Sequence, residues 1–88
     1  MSEKEEKKAL IRLIASPSSF EIELRVYSSG EGKLLEERSL KSSAHCIVIK
    51  AGEARLTLTR PLARVDLTLA LEPARGVAEE HGDCVIIS

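Results

Sequence analysis

Two histidines and two cysteines are the residues of this chain best suited to chemistry. His45 stands next to Cys46, and His81 precedes Cys84 by three residues. Together they are the ligand inventory of a tetrahedral zinc site. However, side chains adjacent on a strand point to opposite faces, which separates His45 from Cys46. We therefore expect no metal and interpret the cysteines as small core residues, with a Cys46–Cys84 disulfide as the alternative in a hyperthermophile.

The sequence offers no further catalytic arrangement. A nucleophilic Cys–His pair needs an orienting group and a pocket, and the sequence identifies neither. The five glycines are scattered among turns, so there is no glycine-rich phosphate loop. Asp66 and the glutamates fall in alternating or exposed contexts. We predict that the protein is not an enzyme and has no cofactor and no small-molecule ligand.

The composition limits the classes of protein that remain. The 88 residues are 43% hydrophobic and 31% charged, with a net charge of −1, which excludes a generally basic nucleic-acid binder. Phe20 and Tyr27 are the two aromatic residues, too few for a base-stacking platform. The chain has no Asn and no Gln, amides that hyperthermophile proteins avoid. The composition thus indicates a small globular protein from a thermophile.

The apolar runs of the chain are short. None approaches the length of a membrane span, and the charged start SEKEEKK does not resemble a signal peptide. We therefore expect a cytoplasmic protein without a membrane partner. Residues 1–8 are predicted to be a flexible charged N-terminus and residues 9–88 a single domain.

The segment SPSSFEIELRVYSSG, residues 16–30, carries two conflicting signals. Its apolar residues alternate with charged ones from Phe20 to Val26, which predicts a half-buried strand. Its flanks predict a helix, because Ser18 and Glu21 have capping-box spacing and Gly30 stands where a helix would end. Residues 55–71 repeat the conflict: Val65 to Leu71 alternate like a strand, whereas Leu62, Val65 and Leu69 follow helical spacing.

Arg60 and Arg64 are the candidate nucleic-acid contacts. On a helix they would share one face and could bind phosphates, which position a nucleic acid without reading its sequence. The alternative is that exposed arginines pair with Asp66 or Glu72.

Four stretches of the chain resemble a known family. ALIRLIASPS (9–18), VYSS (26–29), IVIKA (47–51) and the turn from Glu53 to Arg55 are similar to the small dimer-forming subunit of the KEOPS complex, which makes threonylcarbamoyladenosine in tRNA. The resemblance implies an α+β fold in the order β-α-β-β-α, with two helices on one face of a small antiparallel sheet. Residues 83–88 would add a short C-terminal strand.

The resemblance also implies a function. The chain would be a non-catalytic homodimer that holds the catalytic subunit of the complex and helps to seat tRNA. Its apolar helix faces would then bind the partner through Leu24, Tyr27, Leu62, Val65 and Leu69.

The alternation taken at face value predicts a different fold. Strands at 8–15, 20–27, 33–39, 44–51, 54–59, 63–71 and 84–88 would build an all-β sandwich or barrel. Such a protein would be an interaction module of unknown partner or a weak nucleic-acid binder. The helix caps agree with the family resemblance, so the α+β fold is our prediction.

Overall fold

The computed structural model describes residues 6–88, which form eight strands in two four-stranded sheets. In chain order the strands are β1 (Lys7–Ala15), β2 (Phe20–Ser28), β3 (Leu34–Ser42), β4 (Cys46–Ala51), β5 (Ala54–Thr59), β6 (Val65–Leu71), β7 (Ala78–His81) and β8 (Cys84–Ile87). There is no helix in this part of the chain, so the predicted α+β fold with two helices is wrong. The all-β alternative describes the architecture.

The first predicted helix is strand β2, because the alternation outweighs the capping signals. Each inward residue of β2 from Phe20 to Val26 is at most 2% exposed, whereas the charged residues between them face solvent. A helix would place these apolar side chains on two faces and leave part of them uncovered. Two of the capping residues lie at turns instead. Ser18 is in the bend before β2, where the Ser16 hydroxyl accepts a hydrogen bond from the Ser19 amide at 3.2 Å, and Gly30 is in the turn after β2.

The second predicted helix is strand β6, which pairs antiparallel with β1. Leu69 lies opposite Ile11 and Leu67 lies opposite Leu13, so the alternate leucines of β6 share the core face of β1. The stretch after Pro73 leads into strand β7.

The two sheets have the strand orders β3-β2-β1-β6 and β5-β4-β8-β7. The chain crosses from one sheet to the other after β3, after β5 and after β6. All neighbouring strands are antiparallel except β4 and β8, which run parallel. The core between the sheets is built by alternate residues of the four central strands, principally Ile11, Leu13, Phe20, Ile22, Leu24, Val26, Ile47, Ile49, Val85 and Ile87.

A disulfide links the two parallel strands. Cys46 lies opposite Cys84 with a Cα–Cα distance of 4.6 Å, and both side chains point away from the core because their neighbours Ile47 and Val85 point inward. The interpretation of the cysteines as unpaired core residues is therefore wrong. The bond joins residues 38 positions apart in sequence.

The first strand begins earlier than the sequence suggested. Lys7 and Lys8, assigned to a flexible N-terminus, belong to β1 and pair with Ser28 and Tyr27. Residues 1–5 of that predicted terminus lie outside the described residues.

Candidate interaction surface

The two sides of the sandwich differ. On one side the edge strands β5 and β6 face each other across a shallow cleft of about 170 Å³, lined in part by Ile49, Leu56 and Leu69. On the opposite side β3 approaches the segment before β7, where the Arg38 guanidinium donates a hydrogen bond to the Gly76 carbonyl at 3.4 Å. We call these the open side and the closed side.

The open side presents apolar side chains that the core covers only in part. Leu56 and Leu58 of β5 pair with Ile49 and Ile47, which places them on the inward face of their sheet. Leu56 nevertheless remains 42% exposed, Val65 remains 37% exposed, and Leu62, in the connection between the strands, is fully exposed. The apolar residues of the open side are Leu56, Leu58, Leu62, Val65, Leu67 and Leu69.

The closed side carries charges at the corresponding inward positions. Glu36 and Arg38 of β3 lie opposite the core residues Val26 and Leu24, and the two form an ion pair at 3.1 Å. Charges at such positions prevent another strand from extending a sheet, because pairing would desolvate them. Strand β7 is protected by its length of four residues and by its acidic sequence AEEH.

Strands β5 and β6 lack this protection. Each strand has one charged residue, Arg55 in β5 and Asp66 in β6. Both side chains point to the outer faces of their sheets. Arg55 lies opposite Lys50 and Asp66 lies opposite Ile14. Asp66 bonds Arg12 at 2.9 Å, and this hydrogen bond, with the guanidinium charge, lowers the pKa of the Asp66 carboxyl from its usual range. Neither inward face carries a charge that would oppose an added strand.

The predicted nucleic-acid contacts do not form a pair. The Arg60 guanidinium donates hydrogen bonds to the backbone carbonyls of Ala44, at 2.8 Å, and of Ser43, which holds the β3–β4 connection in place. Arg64 is exposed just before β6, where its charge also lowers the pKa of Asp66. Without a helix, the shared face that motivated the phosphate role does not exist.

The predicted partner-binding residues separate into two groups. Leu62, Val65 and Leu69 lie together on the open side. Leu24 is 1% exposed in the core and Tyr27 lies on the outer face of β2, so these two are not part of that surface.

The two histidines and two cysteines are not brought together as the ligands of one metal site. The disulfide consumes both thiols, and the described part of the chain contains no cluster of three metal-ligating side chains. A polar cleft of about 360 Å³ beside the disulfide is lined by Lys41, His45, Glu80 and Asp83 among others. In the described part of the chain, no side-chain hydrogen bond or ion pair joins these four residues.

Comparison with known proteins adds no constraint on function. No family model matches the chain, and no match is found among curated proteins or solved structures. Residues 6–88 also hold no helix that could span a membrane.

The open side itself could not be identified from the sequence. The sequences of β5 (ARLTLT) and β6 (VDLTLAL) show that the positions facing inward carry no charge. This absence becomes informative only when both strands are known to be sheet edges, which depends on the order of strands in space.

Proposed function

We propose that the protein is a non-catalytic interaction module that binds an extended strand along its open side. The observation that carries this proposal is the contrast between the edges. The closed side has inward charges on β3 and a very short β7, whereas β5 and β6 present uncharged, leucine-rich inward faces.

The physical basis is strand addition to a sheet edge. An edge strand has backbone N–H and C=O groups that point away from its sheet, and an added strand satisfies them. Alternate side chains of the added strand would cover the exposed parts of Leu56, Val65 and Leu69. Backbone bonds would supply much of the affinity, and the leucine-lined cleft would select apolar residues at every second position.

A selection from a random 12-residue peptide display library tests this function. We expect enriched peptides with apolar residues at alternate positions, and we expect bound peptide to slow amide hydrogen exchange in β5 or β6. Val65→Lys should abolish binding by placing a charge on the open side. Leu35→Lys is the matched control, because Leu35 is a similarly exposed aliphatic residue, 44% against 37%, on the closed-side edge strand β3.

Two results would contradict the proposal. One is the absence of any enriched pattern when the chain is monomeric under the conditions of the selection. The other is binding that Leu35→Lys removes and Val65→Lys leaves intact, because the peptide would then lie on the closed side.

The role in a tRNA-modification complex stays a prediction from the sequence resemblance. The helix faces expected to bind the catalytic subunit are strands here, so its main structural premise is missing. Co-purification with a threonylcarbamoyl-transferring subunit would support the role despite the different fold.

A cytoplasmic location also stays a prediction. Disulfides are rare in the cytosol of mesophiles but occur inside hyperthermophiles. The Cys46–Cys84 bond therefore fits a cytoplasmic protein if the source is the hyperthermophile that the missing amides indicate.

A further inference from the structure

We infer that the strand bound at the open side is β6 of a second copy of this chain. The inference rests on the proposed function and names its partner. The two β6 strands would run antiparallel, related by a two-fold axis that passes beside Thr68. The sheets β3-β2-β1-β6 of both copies would then join into one continuous eight-stranded sheet.

The sequence of β6 is self-complementary in this arrangement. With Thr68 opposite itself, Val65 pairs with the second copy's Leu71, and Leu67 pairs with the second copy's Leu69. Asp66 lies opposite the second copy's Ala70, so no two like charges meet. Inward residues meet inward residues because positions of the same parity pair throughout.

The flanking charges favour the same register. Arg64 precedes β6 and Glu72 follows it, and the Thr68-centred register places each opposite the other in the second copy. Symmetry makes two such ion pairs in each dimer. A register centred on Asp66 would instead set two aspartates opposite each other and would separate Arg64 from Glu72. Charge complementarity thus selects one register and one partner.

The two-fold arrangement also explains the exposed leucines. An axis perpendicular to the joined sheet keeps the inward faces of both copies on the same side. The half-covered residues Leu56, Leu58 and Leu69 of each copy would then face those of the other beneath the joined β6 strands. Exposed apolar surface of this kind marks an interaction site.

Cysteine cross-linking tests the position of the axis. In Thr68→Cys the two new thiols would lie on directly opposed residues, whose Cα atoms are about 4.5–5.5 Å apart in an antiparallel pair, within disulfide range. We expect a mild oxidant to convert most of this variant into a covalent dimer. Thr57→Cys is the matched control, since Thr57 is an exposed, outward threonine on the edge strand β5, and it should remain largely monomeric on a non-reducing gel. Equal cross-linking of both variants, or of neither, would overturn the inference.

Charge exchange tests the register. Arg64→Glu or Glu72→Arg alone should raise the dimer dissociation constant by roughly tenfold in sedimentation equilibrium at low salt, because two attractive pairs become repulsive. The double variant R64E/E72R should restore the dimer. Arg64 and Glu72 of one copy are separated by about 26 Å of extended chain, so rescue cannot arise from contact within one copy. A double variant no tighter than the single ones would contradict this register.

The outcomes separate the inference from the proposed function. A chain that stays monomeric and uncross-linked but binds selected peptides at β6 would overturn the dimer and support the strand-binding module. A monomeric chain without peptide binding would overturn both. Circular dichroism of each variant, matched to the parent, ensures that a lost dimer does not reflect a lost fold.

Discussion

At the scale of single residues, two arginine side chains donate hydrogen bonds to backbone carbonyls instead of pairing with a ligand. Arg38 donates to the Gly76 carbonyl and Arg60 to the carbonyls of the β3–β4 connection. A sequence shows that an arginine is present, but its partner is a carbonyl brought close by the fold. For this reason Arg60 could be predicted as a phosphate contact although its guanidinium holds a loop.

Gly76, in the connection between β6 and β7, is the glycine whose substitution should be most costly. Its φ of +74° favours glycine, and a Cβ there would meet the Val26 Cγ2 atom at 2.7 Å. We expect Gly76→Ala to lower the free energy of unfolding by about 1–3 kcal/mol, measured by urea denaturation. Gly30→Ala is the control: no atom lies within 4 Å of a Cβ at that position, so the change should be close to neutral. Equal effects at both positions would contradict this account.

At the scale of elements, the sequence carried more information than the α+β prediction used. Strand-like alternation identified the positions of β2 and β6 to within two residues. The helix was favoured because Ser18, Glu21 and Gly30 match capping positions, yet serine and glycine also form turns and Glu21 lies in β2. Short-range signals were therefore ambiguous, and the burial of alternate residues in the core decided between them.

A disulfide joins the parallel strands β4 and β8, and its contribution to the free energy of unfolding can be tested directly. The Cys46–Cys84 bond closes a loop of 38 residues and so restricts the unfolded chain. We expect the double variant Cys46→Ser, Cys84→Ser to lose about 2–4 kcal/mol of unfolding free energy in chemical denaturation. The parent protein under reducing conditions is the control and should lose a similar amount. An unchanged midpoint in both would show that the bond does not stabilise the fold.

At the scale of the whole molecule, the helix content distinguishes the all-β fold from the α+β fold that the sequence predicted. We expect a far-UV circular dichroism spectrum dominated by strand, because residues 6–88 contain eight strands and no helix. A helical signal from about a third of the residues would contradict this fold and restore the KEOPS-like arrangement. A buffer series at several salt concentrations controls for association.

The candidate surface is a property of the whole molecule, which limits what the sequence could predict of it. Leu62, Val65 and Leu69 were expected to bind a partner and do share one side, although the expected helix is a strand. Leu24 was grouped with them by helical spacing and lies in the core. Which strands are edges follows from two sheet orders and three crossings, and local patterns do not specify either.

The disulfide has a consequence for a chain that has been cut. The connection between β5 and β6 carries the fully exposed Leu62, the kind of site that proteases cleave. A cut there separates β1–β5 from β6–β8, but Cys46 lies in the first fragment and Cys84 in the second. The fragments therefore stay one covalent molecule until the bond is reduced. Because the second fragment supplies strands to both sheets, the nicked protein keeps every strand of the fold tethered to its neighbours.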